Sequence, residues 1–370
     1  MGGSAGCADC PGGHYAKPQA NIGTYGGQNP TMGSHVLSLL IHELGHTLGL
    51  SHPGDYNGHG YNYGRNAEYA QDTKARSVMS YWDETHQPGH NFAGHGPAAP
   101  MMDDIAAAQR LYGANTKTRN TDTTYGFNSN SGRDVYSLKR GSDKPIFTVW
   151  DGGGNDTLDF SGFTQNQTIN LKAEAFSDVG GLRGNVSVAK GVMVENAIGG
   201  AGNDTLTGNE GNNRLTGGRG ADTLFGGAGA DTFVYHRASD STAQKPDIIQ
   251  DFQSGIDKID LAGVLQEAGL KALNFSERLS GKAGDAVLGQ DPKTGRFTLS
   301  VDTTGNGSAD LLVVSQSPIK QTDVIWNGQA PTVAPTVTPT PTPTPTPAPP
   351  VVPVSDPIPA PTSEPTEPEP

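Results

Sequence analysis

Cysteine is nearly absent: Cys7 and Cys10 are the only two in 370 residues. A disulfide scaffold is thereby excluded. A lone C-x-x-C, with no second pair and no βαβ context, supports neither a zinc ribbon nor redox chemistry and is read as incidental. Apolar residues are also scarce, at 34% with aromatics at 7%, against 51 glycines and 27 prolines. One large apolar core is therefore not expected. No apolar run approaches the roughly 20 residues needed to cross a membrane. The first residues, MGGSAGCADCPGG, lack the basic and apolar regions of a secretory signal peptide. Positive charge is the last deficit: 25 Lys and Arg face 38 Asp and Glu, for a net charge of −13. That balance argues against nucleic acid as a partner, because phosphate binding needs a basic surface. It suits either cation binding or a merely solvated, halophile-like surface, and charge alone does not separate the two.

What is present changes twice along the chain. Residues 1–117 hold nine of the ten histidines and the two clearest helical patterns. Residues 118–330 are rich in Gly, Asp, Asn and Thr with short alternating strands. From residue 331 the chain reads PTVAPTVTPTPTPTPTPAPP and ends in SEPTEPEP. Pro-Thr repetition favours extended polyproline II and offers nothing to bury, so residues 331–370 read as a disordered linker or tail.

The middle region repeats itself. GGAGNDTLT (199–207), GNEGNNRLT (208–216), GGRGADTLF (217–225) and GGAGADTFV (226–234) align without gaps at a period of nine, and DGGGNDTLDF (151–160) is an imperfect relative. This nonapeptide is the calcium-binding parallel β-helix pattern. Six residues suit a turn, since glycine admits close backbone approach. Three more form a strand whose middle residue, Leu206, Leu215, Leu224 or Phe233, points inward. Two copies make one coil, so Asp204 should stack on Asp222 and Asn213 on Asp231. Carboxylates and backbone carbonyls so arranged suit calcium, a hard and flexible cation. The candidate ligands in copies three and four are Gly217, Gly218, Gly220 and Asp222, then Gly226, Gly227, Gly229 and Asp231. Asn213 replaces a carboxylate, which predicts a weaker site there.

The N-terminal region carries HELGHTLGLSHPGDYN from His42. Leu37, Leu40, Ile41, Leu44 and Leu48 recur at helical spacing, which predicts a helix over 36–48 with that apolar face buried. His42 and His46 are one turn apart, and Gly49 can end the helix in a left-handed conformation that returns His52 as a third ligand. Three neutral imidazoles leave an open zinc position for a water whose pKa falls toward ~7. Glu43 is then the general base and proton carrier. H-E-x-x-H-x-x-G-x-x-H is the signature of metzincin zinc proteases, and their methionine turn is matched by Met79 in SVMSYW. The other histidines (His14, His35, His59, His86, His90, His95, His236) lack ligand spacing and read as surface or loop residues.

With these segments, DDIAAAQRLYGAN, YGFNSN, VWDGGGNDTLDFSGF, NAIGGAGNDTL and DFQSGIDKIDL in the same order, residues 28–326 resemble the serralysin family of secreted bacterial zinc endopeptidases. The resemblance implies one catalytic zinc on His42, His46 and His52, with Glu43 catalytic and Tyr81 an extra ligand that can swing off to stabilise the oxyanion. It also implies calcium positions outside the tandem copies. Arg119, Thr121 and Thr123 should share an ion with Asp151, Gly153, Gly154 and Asp156. Glu195 should form a site with Gly200, Gly202 and Asp204, while Asp240, Asp247 and Asp257 close the end of the roll. DTTGNGSAD (302–310) faintly resembles an EF-hand loop, but Val313 stands where its bidentate glutamate belongs, so a hairpin is expected.

The fold implied is α+β: the C-terminal part of a metzincin protease domain over 1–117, then an all-β parallel β-roll over 118–330 with capping strands. The function implied is extracellular hydrolysis of peptide bonds in proteins by a monomer exported through type I secretion, without a membrane span. Two departures stand out. Only 41 residues precede the zinc motif, where the family has a sheet whose edge strand aligns substrate, and a Pro-Thr tail follows the roll. An incomplete protease of weak activity is therefore expected. The alternative is an impaired remnant that serves as a secreted module binding zinc and calcium.

Overall fold

The computed structural model describes residues 29–326 apart from 58 and 59, together with the strands Gly6–Ala8 and Ala20–Ile22. Cys10, His14, His59 and the Pro-Thr region 331–370 lie outside the described residues. The two N-terminal strands pair antiparallel and neighbour helix α1 (His35–Thr47).

Helix α1 begins at Ser34, whose hydroxyl accepts the Leu37 amide. It stops at Leu48, where Gly49 takes a φ of 86° and the Leu50 amide returns to the Gly45 carbonyl. The helix is where periodicity predicts it, but the buried face is a different one. Val36, Ser38, His42, Glu43 and Gly45 are buried, whereas Leu44 and Leu48 are each 53% exposed and Leu37, Leu40 and Ile41 are partly buried. The helix turns its polar side inward because the chain that folds back beneath it, Leu50, Val78 and Met79, packs there, with only Ile41 of the stripe joining. Periodicity identifies a face; it does not say which face is covered. A short helix α2 (Tyr63–Asn66) follows, then α3 (Met102–Tyr112), which ends at Gly113 with φ 81°.

The remainder winds into a parallel roll of two sheets, one of seven strands and one of eight, with a smaller three-stranded sheet beside them. Successive repeat copies alternate between the two. Thr205–Thr207 pairs in parallel with Thr223–Phe225, and Arg214–Thr216 with Thr232–Val234. Leu206 lies opposite Leu224 and Leu215 opposite Phe233, which confirms the 18-residue coil. All four are fully buried, as are Leu158, Ala197, Ile249 and Ile259 in the same inward rows. Fully burying a side chain of this size is worth about 1.5–3 kcal/mol, so three-residue strands suffice once stacked. The C-terminal end is closed by α4 (Ala262–Ala268) and an antiparallel hairpin of Phe297–Asp302 with Leu311–Ser315. The loop 302–310 is thus the expected hairpin, with Asp302 accepting the Gly305 and Gly307 amides. The architecture is an α+β metzincin-type half followed by an all-β parallel roll.

Candidate metal centres

The regular turn spacing of α1 puts His42 and His46 on one side, and the reversal at Gly49 and Leu50 brings His52 back to them. The Nε2 atom of His52 lies 3.2 Å from that of His42 and 3.1 Å from that of His46. Each Nδ1 faces a main-chain carbonyl: His42 with Val78 at 2.9 Å, His46 with Leu50 at 2.8 Å, His52 with Tyr56 at 2.8 Å. A carbonyl only accepts, so every Nδ1 carries a proton, and in the neutral ring Nε2 then presents a lone pair. Burial pushes His42 down to about 4 and lowers His52 as well, keeping both neutral. Three lone pairs facing one another at contact distance are unfavourable alone, and they fit a cation. Tetrahedral zinc with Zn–N of about 2.0–2.1 Å separates its nitrogens by about 3.3–3.4 Å, close to what is seen.

Glu43 occupies the buried face of the same helix, where burial raises its pKa and neighbouring His46 opposes the rise. The Tyr81 ring centroid is 4.5 Å from that of His52 and 5.9 Å from that of His42, so the structure brings Tyr81 to the cluster. Met79 lies fully buried beneath the site, and a Cβ added at Gly45 would run into its sulfur. A side chain at position 45 would therefore have to displace the methionine below the helix.

Sequence reasoning missed the group that holds this turn. Asp104, in the first turn of α3, is buried and accepts three hydrogen bonds: from the Ser77 hydroxyl at 2.6 Å, the Val78 amide at 2.7 Å and the Met101 amide at 2.8 Å. One carboxylate thus caps α3 and fixes the peptide just before the Val78 carbonyl that orients His42. The available signal was an acidic residue opening a helical pattern. Tyr56, whose carbonyl orients His52, is likewise tied through its hydroxyl to buried Asp72 at 2.9 Å. Of the histidines assigned to surface or loops, His90 lies in a loop and packs edge-on against Phe176, with its two ring nitrogens buried.

The calcium candidates fall into two stacks of turns, each leading into one sheet. The Thr123 amide donates to Asp156, the Gly153 amide to Asp151, and Gly154 lies against the Thr121 carbonyl, so this cluster comes together as expected beside Arg119. Asp151 is further held by the Tyr125 hydroxyl at 2.6 Å. Asp204 donates its amide to Asp222, and Asn213 to Asp231, as the register predicts. Gly218 and Gly220 have φ of 96° and 142° and lie directly on the Gly200 and Gly202 carbonyls, leaving no room for a Cβ. Gly227 and Gly229 stack likewise on Asn209 and Gly211, while Gly217 and Gly226 abut the carboxylates of Asp222 and Asp231.

One expected grouping is not found. Glu195 accepts the Asp156 amide at 2.7 Å and belongs with Asp151 and Asp156, whereas Gly200, Gly202 and Asp204 belong to the opposite stack. The reason is topological: Glu195 leads into Asn196–Ile198 of the seven-stranded sheet, and Asp204 into Thr205–Thr207 of the eight-stranded one. At the roll's end Asp247 receives the Asp222 amide, Asp257 the Asp231 amide, and Asp240 the His236 and Arg237 amides. Asp251, unassigned from sequence, receives the Gly226 and Gly227 amides.

The donor set fits calcium. Asp222 and Asp231 each keep one buried oxygen with no partner among the described residues. Burial raises Asp156, Glu195, Asp204, Asp222, Asp240, Asp247 and Asp257, and pushes Asp231 up to about 7. Such oxygens are costly without a cation.

Comparison with known proteins agrees with this geometry. The family model described as peptidase M10 serralysin C terminal matches residues 114–326. A metalloprotease AprA of Pseudomonas entomophila is 55% identical over 334 residues, covering 86% of this chain and 69% of that protein. A metallopeptidase AprA of Pseudomonas marginalis is 56% identical, covering 80% of this chain and 65% of that protein. Serralysin C of Dickeya chrysanthemi is 54% identical, covering 76% of this chain and 60% of that protein. The convergent histidines, the methionine beneath them and the coiled repeat thus lie in a sequence that matches named metalloproteases along most of its length, and the chain belongs to the serralysin family.

Proposed function

We propose that the protein is a secreted zinc metalloendopeptidase that hydrolyses peptide bonds in proteins and is stabilised by calcium in its repeat turns. The observation that carries this reading is the convergence of three Nε2 lone pairs, each fixed by an Nδ1–H bond to a carbonyl, beside buried Glu43. Zinc on His42, His46 and His52 supplies a Lewis acid that acidifies water and polarises a carbonyl. Glu43, its pKa raised by burial, is suited to take a proton from the attacking water and return it to the leaving amine. Tyr81, its ring tilted beside that of His52, offers a phenol to the oxygen on which charge develops.

Residues 1–117 supply the catalytic half, 118–330 the calcium-binding roll and 331–370 a linker or tail. Calcium-poor cytoplasm would keep the carboxylate stacks unfolded for type I export, and external calcium would fold them, giving an extracellular monomer. A second reading, an impaired zinc- and calcium-binding module, is favoured by the exposure of Leu44 and Leu48 on the zinc helix. The deciding experiment compares the wild-type chain with Glu43→Ala for zinc content and peptide hydrolysis. The protease reading requires hydrolysis by the wild type alone with equal zinc in both. Hydrolysis retained in Glu43→Ala sinks the assignment, and none in either favours the module.

A further inference from the structure

The metzincin-type half meets the roll at a short seam. Asn91 and Arg183 exchange two backbone hydrogen bonds, each 3.0 Å long, as an isolated antiparallel bridge. Next to them in sequence, Phe92 and Leu182 share a small buried cluster with Ala75, Met101 and Ile146. His90 stands at the edge of this seam. Its ring lies edge-on to Phe176, with centroids 4.6 Å apart, and the Arg76 guanidinium covers the same phenyl ring at 5.6 Å. Gly184, with φ of 59°, is so close that a Cβ there would come within 2.8 Å of the imidazole. The ring is thus seated against two residues of the roll.

What the seat lacks is a hydrogen-bond partner. Both ring nitrogens are buried, and neither meets a donor or acceptor among the described residues. A neutral imidazole so placed leaves one N–H and one lone pair unmet, whereas an imidazolium leaves two N–H groups and a charge. The second is far costlier. The charged groups that act on the ring are Arg76 from the metzincin-type half and Asp178 and Arg183 from the roll. Burial lowers the His90 pKa from the ordinary 6.5, Asp178 opposes that fall, and the two arginines add to it. Asp178 and Arg76 are themselves engaged: Asp178 accepts the Gly184 amide at 2.7 Å, and Arg76 faces Asp103 at 3.6 Å. The carboxylate that acts on the ring is thus committed to the turn against which the ring packs.

We propose that His90 is an acid-sensitive seat: once protonated it no longer tolerates burial against Phe176 and Gly184, and the seam between Asn91 and Arg183 opens. The closed seam holds the neutral ring, and the opened one lets water meet both nitrogens. The direction follows from the lowered pKa. The seam is at full strength above 6.5 and weakens as the pH falls toward the lower value of the seated ring. Opening gains about tenfold for each pH unit between the titrations of the seated and the released ring. No part of this rests on zinc, calcium or hydrolysis.

The test uses the full chain with zinc and calcium in the buffer, as wild type, His90→Gln and Asp178→Asn. Glutamine is polar, uncharged at every pH and close to imidazole in size, while asparagine keeps an oxygen for the Gly184 amide. The imidazole resonance missing from His90→Gln identifies His90 in the wild-type NMR spectrum, and it should titrate below 6.5. A transition at or above 6.5 overturns the proposal. Amide exchange is then followed by mass spectrometry through a pH series from neutral to acid, corrected for the intrinsic chemical rate. Residues 89–95 and 176–186 should open more in acid in the wild type than in His90→Gln, which keeps the histidine cluster and so controls for loss of metal. An equal acid response in the two proteins overturns the seat. Asp178→Asn removes the charge that favours the imidazolium, so its opening of 89–95 should need a lower pH than in the wild type. If His90→Gln fails to fold, this comparison decides alone, and an unmoved midpoint overturns the proposal.

Discussion

Replacing Asp104 tests whether the three convergent histidines are held from behind. Alanine at this position strands the Val78 and Met101 amides, both buried, at about 1–3 kcal/mol each, or about 2–6 kcal/mol together. Part of that is returned, because burying the carboxylate is itself costly. Burial pushes Asp104 up to about 6 from 3.8, equivalent to about 3 kcal/mol at neutral pH. Across most of that range Asp104→Ala remains destabilising, centred at about 1 kcal/mol. Asp104→Asn keeps an oxygen for both amides and sheds the charge, and the Ser77 hydroxyl can turn to accept the new N–H. It should stay within about 1 kcal/mol of wild type.

The more telling readout is zinc affinity, because the Val78 peptide that donates to Asp104 is followed by the carbonyl that orients His42. Loosening a group behind a ligand typically costs about 10–100-fold in metal affinity. Competition with a chromophoric chelator should show that loss in Asp104→Ala and little of it in Asp104→Asn. Unchanged zinc affinity in the alanine variant, measured where the protein is still folded, would refute the coupling. Equal losses in both variants would show that charge, and not acceptor geometry, is what matters.

Gly45→Ala gains about 1 kcal/mol of helix propensity but drives its Cβ into the Met79 sulfur, an overpacking worth about 1–3 kcal/mol, so thermal melting should show net destabilisation. A variant more stable than wild type would mean that Met79 moves aside freely. In chelator, the roll should be more stable near pH 5 than near pH 8, as read by urea midpoints. The sign follows from Asp231: its folded carboxyl holds the proton up to about 7 and the unfolded one to 3.8, so stability is full below the lower value and is lost as pH rises to the higher. Saturating calcium should weaken or invert that dependence, because the cation replaces the proton.

The candidate metal ligands were legible because metal binding restricts residue type and helical spacing together. Their supports were not, since Val78, Leu50 and Tyr56 act through carbonyls that any residue possesses. Asp104 was hidden differently: an acid in the first turn of a helix is ordinary capping, and nothing in its sequence position says that it also reaches the turn at Ser77 and Val78. The leucine stripe of α1 misled because a hydrophobic face is a property of the helix alone, whereas burial depends on what folds against it. At Leu44 and Leu48 nothing among the described residues covers it fully.

The roll was legible to the residue in register, because its period is fixed by the strands and each turn repeats the same contacts 18 residues on. What a period cannot convey is the difference between one copy and the next. Asn213 in place of aspartate looks like one lost charge and a weaker site. With Asn209 beside it, the two amides satisfy one another and the carbonyls of Leu171, Val194 and Glu195, so this copy carries side-chain hydrogen bonds that a period of nine does not predict.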